Sequence, residues 1–258
     1  MNRRPGSMHA VSEGIILDHV GKRFPVGVVA LQEVSLQVAP GEFVALVGPS
    51  GCGKSTILRL VAGLDAPTLG RVEAPAVTDR REAATAFVFQ EPTLMPWASV
   101  FDNVWLPLRL AGVARAQAAV QVRELLQGMG LGDFEQAYPA ELSGGMRMRA
   151  SIARALVTRP RVLLMDEPFA ALDEITRGRL NVDLLAWWAE RSLTVVFVTH
   201  SVYESVFLSQ RVLVMSERPG RVIAEVTIDE PYPRTAAFRA TEAYQDACRR
   251  VSAALVAA

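Results

Sequence analysis

Cysteine is nearly absent: Cys52 and Cys248 are the only two in 258 residues, far apart and without metal-knuckle spacing. One possible pair makes no disulfide framework, so a reduced, intracellular setting is expected. Net charge is absent too. Acidic and basic residues number 27 each, so the balance points to neither nucleic acid nor an anionic membrane surface. No apolar run approaches the roughly eighteen residues a spanning helix needs, so any membrane role is expected to be peripheral. The opening MNRRPGSMHAVSEG has two arginines with no apolar stretch behind them, so it is not expected to be a secretory signal. Residues 1–13 are expected to be a disordered tail. Repeats and low-complexity tracts are missing as well. What is present is apolar material: it makes up 50% of the chain, enough for one large domain or a core with an inserted subdomain.

Short runs rich in valine and leucine alternate with helical patterns. FVALVG (43–48), TAFVFQ (85–90), RVLLMDEP (161–168) and LTVVFVTH (193–200) read as strands buried on both faces, the mark of a parallel sheet with helical crossovers. RVLVMS (211–216) and RVIAEVTI (221–228) add two more strands around the turn ERPG. IILDHVGKRF and LQEVSLQV, near the start, alternate as half-exposed antiparallel strands do. Residues 91–156 lack strand patterns and carry helical periodicity, which predicts a helical subdomain inserted into the core. The tail after residue 228 places Phe238, Tyr244, Cys248, Val251 and Leu255 at helical spacing, as in a terminal helix packed on the body.

GPSGCGKST (48–56) follows an apolar strand and precedes the helical TILRLVAGL. It matches G-x-x-x-x-G-K-[ST] in the strand–loop–helix context that gives this pattern meaning. Glycines let backbone N–H groups converge on phosphates where side chains would intrude. Gly48, Pro49, Ser50, Gly51, Cys52 and Gly53 are therefore expected to form a phosphate cradle. Lys54 would reach the β- and γ-phosphates, Ser55 would ligate Mg²⁺ and Thr56 would touch the α-phosphate. Cys52 reads either as a thiol activated by the helix start or as a small residue that fits the loop.

RVLLMDEP ends an apolar strand in two carboxylates, at the sheet edge where α/β proteins bind ligands. Asp166 suits orientation of Mg²⁺ through its water shell, and Glu167 suits polarisation of an attacking water. Gln90 and His200 end neighbouring strands at the same edge. An amide there can join the metal's coordination and sense the γ-phosphate; an imidazole can donate to that phosphate and to the water. A second anion cradle opens LSGGMRMRASIARAL (142–156), where a serine and two glycines start a helix carrying Arg147, Arg149 and Arg154.

With these residues the chain resembles ABC-transporter ATPase subunits over about residues 15–228. Gly48 to Ser55 match the Walker A motif, Gln90 the Q-loop and Leu142 to Met146 the signature. Val162 to Glu167 match Walker B, Ala171–Asp173 the D-loop and His200 the switch histidine. Phe24 falls where the family stacks an aromatic on adenine, with a plain buried phenylalanine the alternative. The resemblance implies a P-loop NTPase (RecA-like) α/β core, an N-terminal antiparallel β subdomain and an inserted helical subdomain. Domain bounds are expected at 14–228, with the helical part at about 91–156 and a helical extension at 229–258. ATP and Mg²⁺ are the implied cofactors. A head-to-tail dimer is implied too, in which Ser143, Gly144 and Gly145 cap the γ-phosphate of a partner's nucleotide, and Asp173 of the D-loop is counted with them among the nucleotide-binding residues. Met146 and Met148 stand where the family commonly has glutamine, and Ser201 where many members have Asp.

FQEPTLMPWASVFDNVWLPLRLAGV (89–113), LSGGM and RPGRVIAEVTIDEPYPR (218–234) resemble importers of the nitrate, sulfonate, taurine and bicarbonate group, including those for thiamine precursors. That likeness implies separate multi-span permease subunits, whose short helix would enter a groove near Leu94, Met95, Trp97 and Val100. Packing of these residues within the helical subdomain is the alternative, and Trp105 and Leu106 read as core. A periplasmic solute-binding protein is implied indirectly, and the expected location is the cytoplasmic face of a bacterial inner membrane. From the short tail after residue 228, no added regulatory β-domain is expected. The rival readings are an exporter ATPase and a non-transport ATPase of the Fe–S assembly type. Chromosome-type relatives would need coiled-coil insertions and ribosome-type relatives two cassettes.

Overall fold

The computed structural model describes residues 14–78 and 84–257; the expected tail of residues 1–13 lies outside them. In chain order, β1 (Ile15–Arg23), β2 (Val29–Val38) and β3 (Phe43–Val47) lead to helix α1 (Lys54–Val61), β4 (Leu69–Glu73), the short α2 (Pro75–Thr78) and β5 (Thr85–Val88). Three helices follow with no strand between them: α3 (Val100–Leu110), α4 (Arg115–Gly128) and α5 (Gly144–Leu156). The chain then runs β6 (Val162–Asp166), α6 (Glu174–Arg191), β7 (Thr194–Val198), α7 (Val202–Leu208), β8 (Arg211–Met215), β9 (Val222–Thr227) and α8 (Glu242–Val256).

Two sheets result. An antiparallel sheet has the order β2-β1-β4, and a second has the order β5-β6-β7-β3-β8-β9, parallel except for β9. Every residue of β3 and β7 is buried. Alternation along β3 divides the core: Phe43, Ala45 and Val47 join a cluster with α5 to α8, while Val44 and Leu46 face α1 and the antiparallel sheet. Each such Val or Leu contributes about 1.5–3 kcal/mol by leaving water, which is why these strands read as unbroken apolar runs.

Two strands depart from expectation. β5 is half-buried over its first three residues rather than buried throughout, because it pairs only with β6 at the sheet edge. It also stops at Val88, so Gln90 lies two residues beyond it in a bend. β4 is absent from the sequence pattern: LGRVE exposes its first three residues, contains Gly70 and does not alternate, and only its pairing with β1 makes it a strand.

Side-chain caps set where the functional helices begin. Ser99, Ser143, Asp173, Ser201 and Thr241 each accept a bond from the backbone N–H three residues on, starting α3, α5, α6, α7 and α8. In the tail Phe238, Tyr244, Cys248 and Val251 are buried and Leu255 is half-buried, against the core that contains α7.

Candidate active site

The loop between β3 and α1 turns through Gly51 at φ 76° and Gly53 at φ 108°, left-handed angles that strain any residue with a Cβ. At Gly53 a Cβ would also stand 2.5 Å from Leu31 Cδ2, so the loop rests directly on β2. Lys54 is buried; its Nζ donates to the carbonyls of Gly48 (2.8 Å) and Pro49 (2.9 Å), which centres the ammonium inside the loop. Cys52 is 1% exposed and belongs to the core beneath the loop, which agrees with the small residue that fits.

Ser55, in the first turn of α1, donates its hydroxyl to Asp166 Oδ1 at 3.0 Å. Burial pushes the Asp166 carboxyl above its ordinary value, against the Ser55 bond and the charges of Arg59, Lys54 and His200. These two oxygens are the donor type Mg²⁺ takes from protein while keeping phosphate oxygens and water for the remainder. Among the described residues no three His, Cys, Asp or Glu side chains form a metal cage, so the pair fits an ion that arrives with phosphates.

One residue further on, the chain leaves β6. Glu167 adopts φ 49°, left-handed for a residue with a side chain, and its N–H donates to Val198 O at 3.0 Å. Such strain costs about 1–3 kcal/mol and persists where surroundings impose it. Here it aims the carboxylate at the neighbouring strand's end, with Glu167 Oε1 2.5 Å from His200 Nε2. The two adjacent carboxylates thus face different partners: Asp166 faces Ser55, and Glu167 faces His200.

A cavity of about 390 Å³ unites the loop with that pair. Ser50, Gly51, Gly53, Lys54, Ser55 and Thr56 line it from the loop and the start of α1, and Glu167 and His200 from the ends of two strands. Half-buried Phe24 and exposed Val26 line it as well. The sequence reading missed one residue here: Arg218, from the β8–β9 turn, lines the same cavity and donates from both Nε (3.0 Å) and Nη2 (2.8 Å) to Gly51 O. The ERPG turn was its only local signal. Two residues on, a Cβ at Gly220 would stand 1.9 Å from Cys52 O, so this turn is packed backbone-to-backbone on the phosphate loop. Gly220→Ala is therefore expected to displace the loop, lowering stability by about 1–3 kcal/mol and weakening nucleotide binding together; thermal melting and a nucleotide titration check both.

Other candidates lie elsewhere. Gln90 is exposed and does not line the cavity. Ser143, Gly144, Gly145 and Asp173 form a separate cluster at the starts of α5 and α6. There a Cβ on Gly145 would meet Thr176 Cγ2 at 2.5 Å and one on Gly144 would meet Leu172 Cδ2 at 3.5 Å. Thr176 N donates to Asp173 Oδ1 at 3.0 Å, and Thr176 holds that carboxyl below its ordinary value. The three arginines of this segment serve structure. Arg147 donates to Leu142 O, Arg149 to Asp183, and Arg154 to Pro92 O and Thr93 O, tying α5 to the segment that follows Gln90.

Fully buried Asn103 shapes the next stretch. It accepts from Met95 N at 2.7 Å and donates to Met95 O, Ala98 O and Ser99 O. Leu94 and Met95 are half-buried and Trp97 is 77% exposed, whereas Val100 is fully buried and so belongs to the interior rather than to a groove. Trp105 and Leu106, expected in the core, are half-buried, with Trp105 Nε1 donating to Val113 O.

A family model described as ABC transporter matches residues 31–170. The chain is 47% identical over 201 residues to the taurine import ATP-binding protein of Rhizobium johnstonii, covering 78% of this chain and 77% of that one. It is 46% identical over 214 residues to the nitrate import ATP-binding protein of Synechocystis, covering 82% and 79%. A dimeric ATP-binding cassette solved in a post-hydrolysis state with ADP and Pi superposes with a TM-score of 0.72 at 33% identity, covering 84% of this chain and all of that one.

Proposed function

We infer that this chain, which belongs to the ABC transporter family, is the ATP-hydrolysing subunit of an importer. The observation that carries the reading is the meeting, around one cavity, of Lys54 and its glycine loop with the Glu167–His200 pair. The loop's N–H groups and Lys54 hold the β- and γ-phosphates, Thr56 adds a contact to the α-phosphate, and Phe24 stacks on adenine. Glu167 takes a proton from the water whose oxygen attacks the γ-phosphorus. The bond from that phosphorus to the β–γ bridging oxygen breaks, releasing ADP and phosphate. His200 keeps the Glu167 carboxylate in place and donates to the γ-phosphate. Ser55 and Asp166 would hold Mg²⁺, which would supply charge neutralisation for the phosphate oxygens, and Gln90, exposed outside the cavity, would join them only by moving toward the nucleotide.

Ser143, Gly144 and Gly145 lie outside the cavity, so they serve a nucleotide only when a second copy brings its own cavity to them. The Ser143 oxygen accepts from Met146 N at 3.3 Å, which leaves its O–H available to a phosphate. ATP then sits between two chains and closes a head-to-tail dimer, and hydrolysis reopens it. Ser143→Arg should leave ATP binding by one chain intact and abolish ATP-dependent dimerisation, read by light scattering beside a nucleotide titration. Dimers of that variant forming with ATP would contradict the shared site.

No described helix is long and apolar enough to cross a membrane. By likeness to the import ATP-binding relatives, transport runs through separate multi-span subunits, met through Leu94, Met95 and exposed Trp97 at the cytoplasmic face of the inner membrane. A periplasmic binding protein delivers the solute, a small nitrate-like or sulfonate-like anion by likeness to the relatives, or a thiamine precursor. Co-purification with a multi-span subunit supports this reading; recovery with soluble scaffold proteins alone overturns it.

A further inference from the structure

Glu204, in the first turn of α7, is a buried carboxylate that the reaction above does not use. In an ordinary capping box a Glu at this position would accept from the N–H of the capping residue, here Ser201. That N–H instead donates to Thr199 Oγ1 at 3.0 Å. Thr199 in turn donates its hydroxyl to Glu204 Oε2 at 2.6 Å, and Glu204 N donates to Ser201 Oγ at 3.2 Å. The two residues flanking His200 are thus both locked to Glu204.

Diverting the cap leaves Glu204 Oε1 free of hydrogen bonds and 3.7 Å from Arg177 Nε, itself buried without a hydrogen-bond partner. The same guanidinium donates from Nη2 to Leu172 O at 2.8 Å, and Arg177 N donates to Asp173 O at 2.9 Å. One arginine therefore joins the loop carrying Asp173 to the carboxylate that fixes the His200 turn. Leu172 and Thr176 are in turn the neighbours of Gly144 and Gly145. A second guanidinium, Arg239 from the tail, lines with Arg177 and Glu204 a cavity separate from the one at the phosphate loop, and acts on Glu204 through its charge. Burying a carboxylate costs several kcal/mol that an apolar side chain at this position would not. The arrangement is explained by a task.

We propose that Arg177 and Glu204 are positioning residues that couple, within one chain, the His200–Glu167 edge to the Ser143–Gly145 cap. The inference rests on the shared-site reading: each chain's own nucleotide meets His200 while its cap serves the partner's, so this pair links the two hydrolytic sites.

The test uses the purified full chain with ATP and Mg²⁺, comparing wild type, Arg177→Met, Arg177→Lys and the near-isosteric Glu204→Gln. Coupling of this kind amounts to roughly 5- to 150-fold. kcat should fall within that range in Arg177→Met and Glu204→Gln. The KM for ATP should stay at its wild-type value, the dependence on ATP concentration should lose its cooperativity, and Arg177→Lys should recover part of the rate. The double variant should be no slower than the worse single one, because both break one link. Glu204→Gln keeps the volume and the Thr199 acceptor, so it carries the test if Arg177→Met unfolds. Wild-type kcat and cooperativity in both variants would overturn the proposal, as would a rate loss that tracks only lost ATP affinity or thermal stability. A wild-type chain that forms ATP-dependent dimers without turning ATP over would overturn the functional reading itself.

Discussion

Glu167→Gln lowers ATP turnover by about 10²- to 10⁴-fold, the usual contribution of a positioned general base, and leaves ATP affinity essentially unchanged. The amide keeps the shape and its contact with His200 but cannot take the water's proton. Its backbone, at φ 49°, is set by the bond from its N–H to Val198 O and by the exit from β6, neither of which depends on the carboxylate. Phosphate release and a nucleotide titration on the same preparation separate the two effects. Hydrolysis surviving nearly unchanged would remove Glu167 from the role of base.

Arg234→Met destabilises the chain by at least about 3 kcal/mol, since each buried acceptor left unpaired costs about 1–3 kcal/mol. Arg234 is 3% exposed and has no carboxylate at pairing distance among the described residues. It donates instead to five carbonyls: Val206, Phe207, Ser209, Ile228 and Glu230. Three of those lie at the end of α7, the helix that begins just after His200, so the arginine closes α7 and fastens the tail to it. Its face also rests on Tyr232 at 4.2 Å. Methionine retains that apolar contact while removing every donor, which isolates the hydrogen bonds. For a chain of this size the expected fall in Tm is about 6–12 °C, read by calorimetry. An unchanged Tm would mean water replaces the guanidinium at no cost.

Much of this was legible in the sequence, for physical reasons that differ by residue. β3, β6 and β7 announced themselves because burial on both faces demands uninterrupted apolar side chains. The meeting of Lys54, Ser55 and Asp166 was legible because the loop motif and the strand ending in two carboxylates place them at one sheet edge. β4 was not legible: its strand character comes from pairing with β1, and its side chains mostly face solvent. Val100 was misplaced because a buried and a groove-facing valine look alike until Ser99 caps α3 and sets its phase. Arg218 and Arg234 were invisible as site and anchor. Both bond to backbone carbonyls of distant segments, which carry no residue identity to read. In LSGGMRMRASIARAL the expected cradle was the helix start, Ser143 to Gly145, and Arg147, Arg149 and Arg154 bond to the chain itself.

The most direct measurement is the mass of the Glu167→Gln chain by light scattering, with Mg²⁺ and either ATP or ADP. A nucleotide shared between one chain's Lys54 loop and another's Ser143 predicts a doubled mass with ATP and a monomer with ADP. Identical masses with the two nucleotides, each shown to be bound in its own preparation, would contradict the shared site.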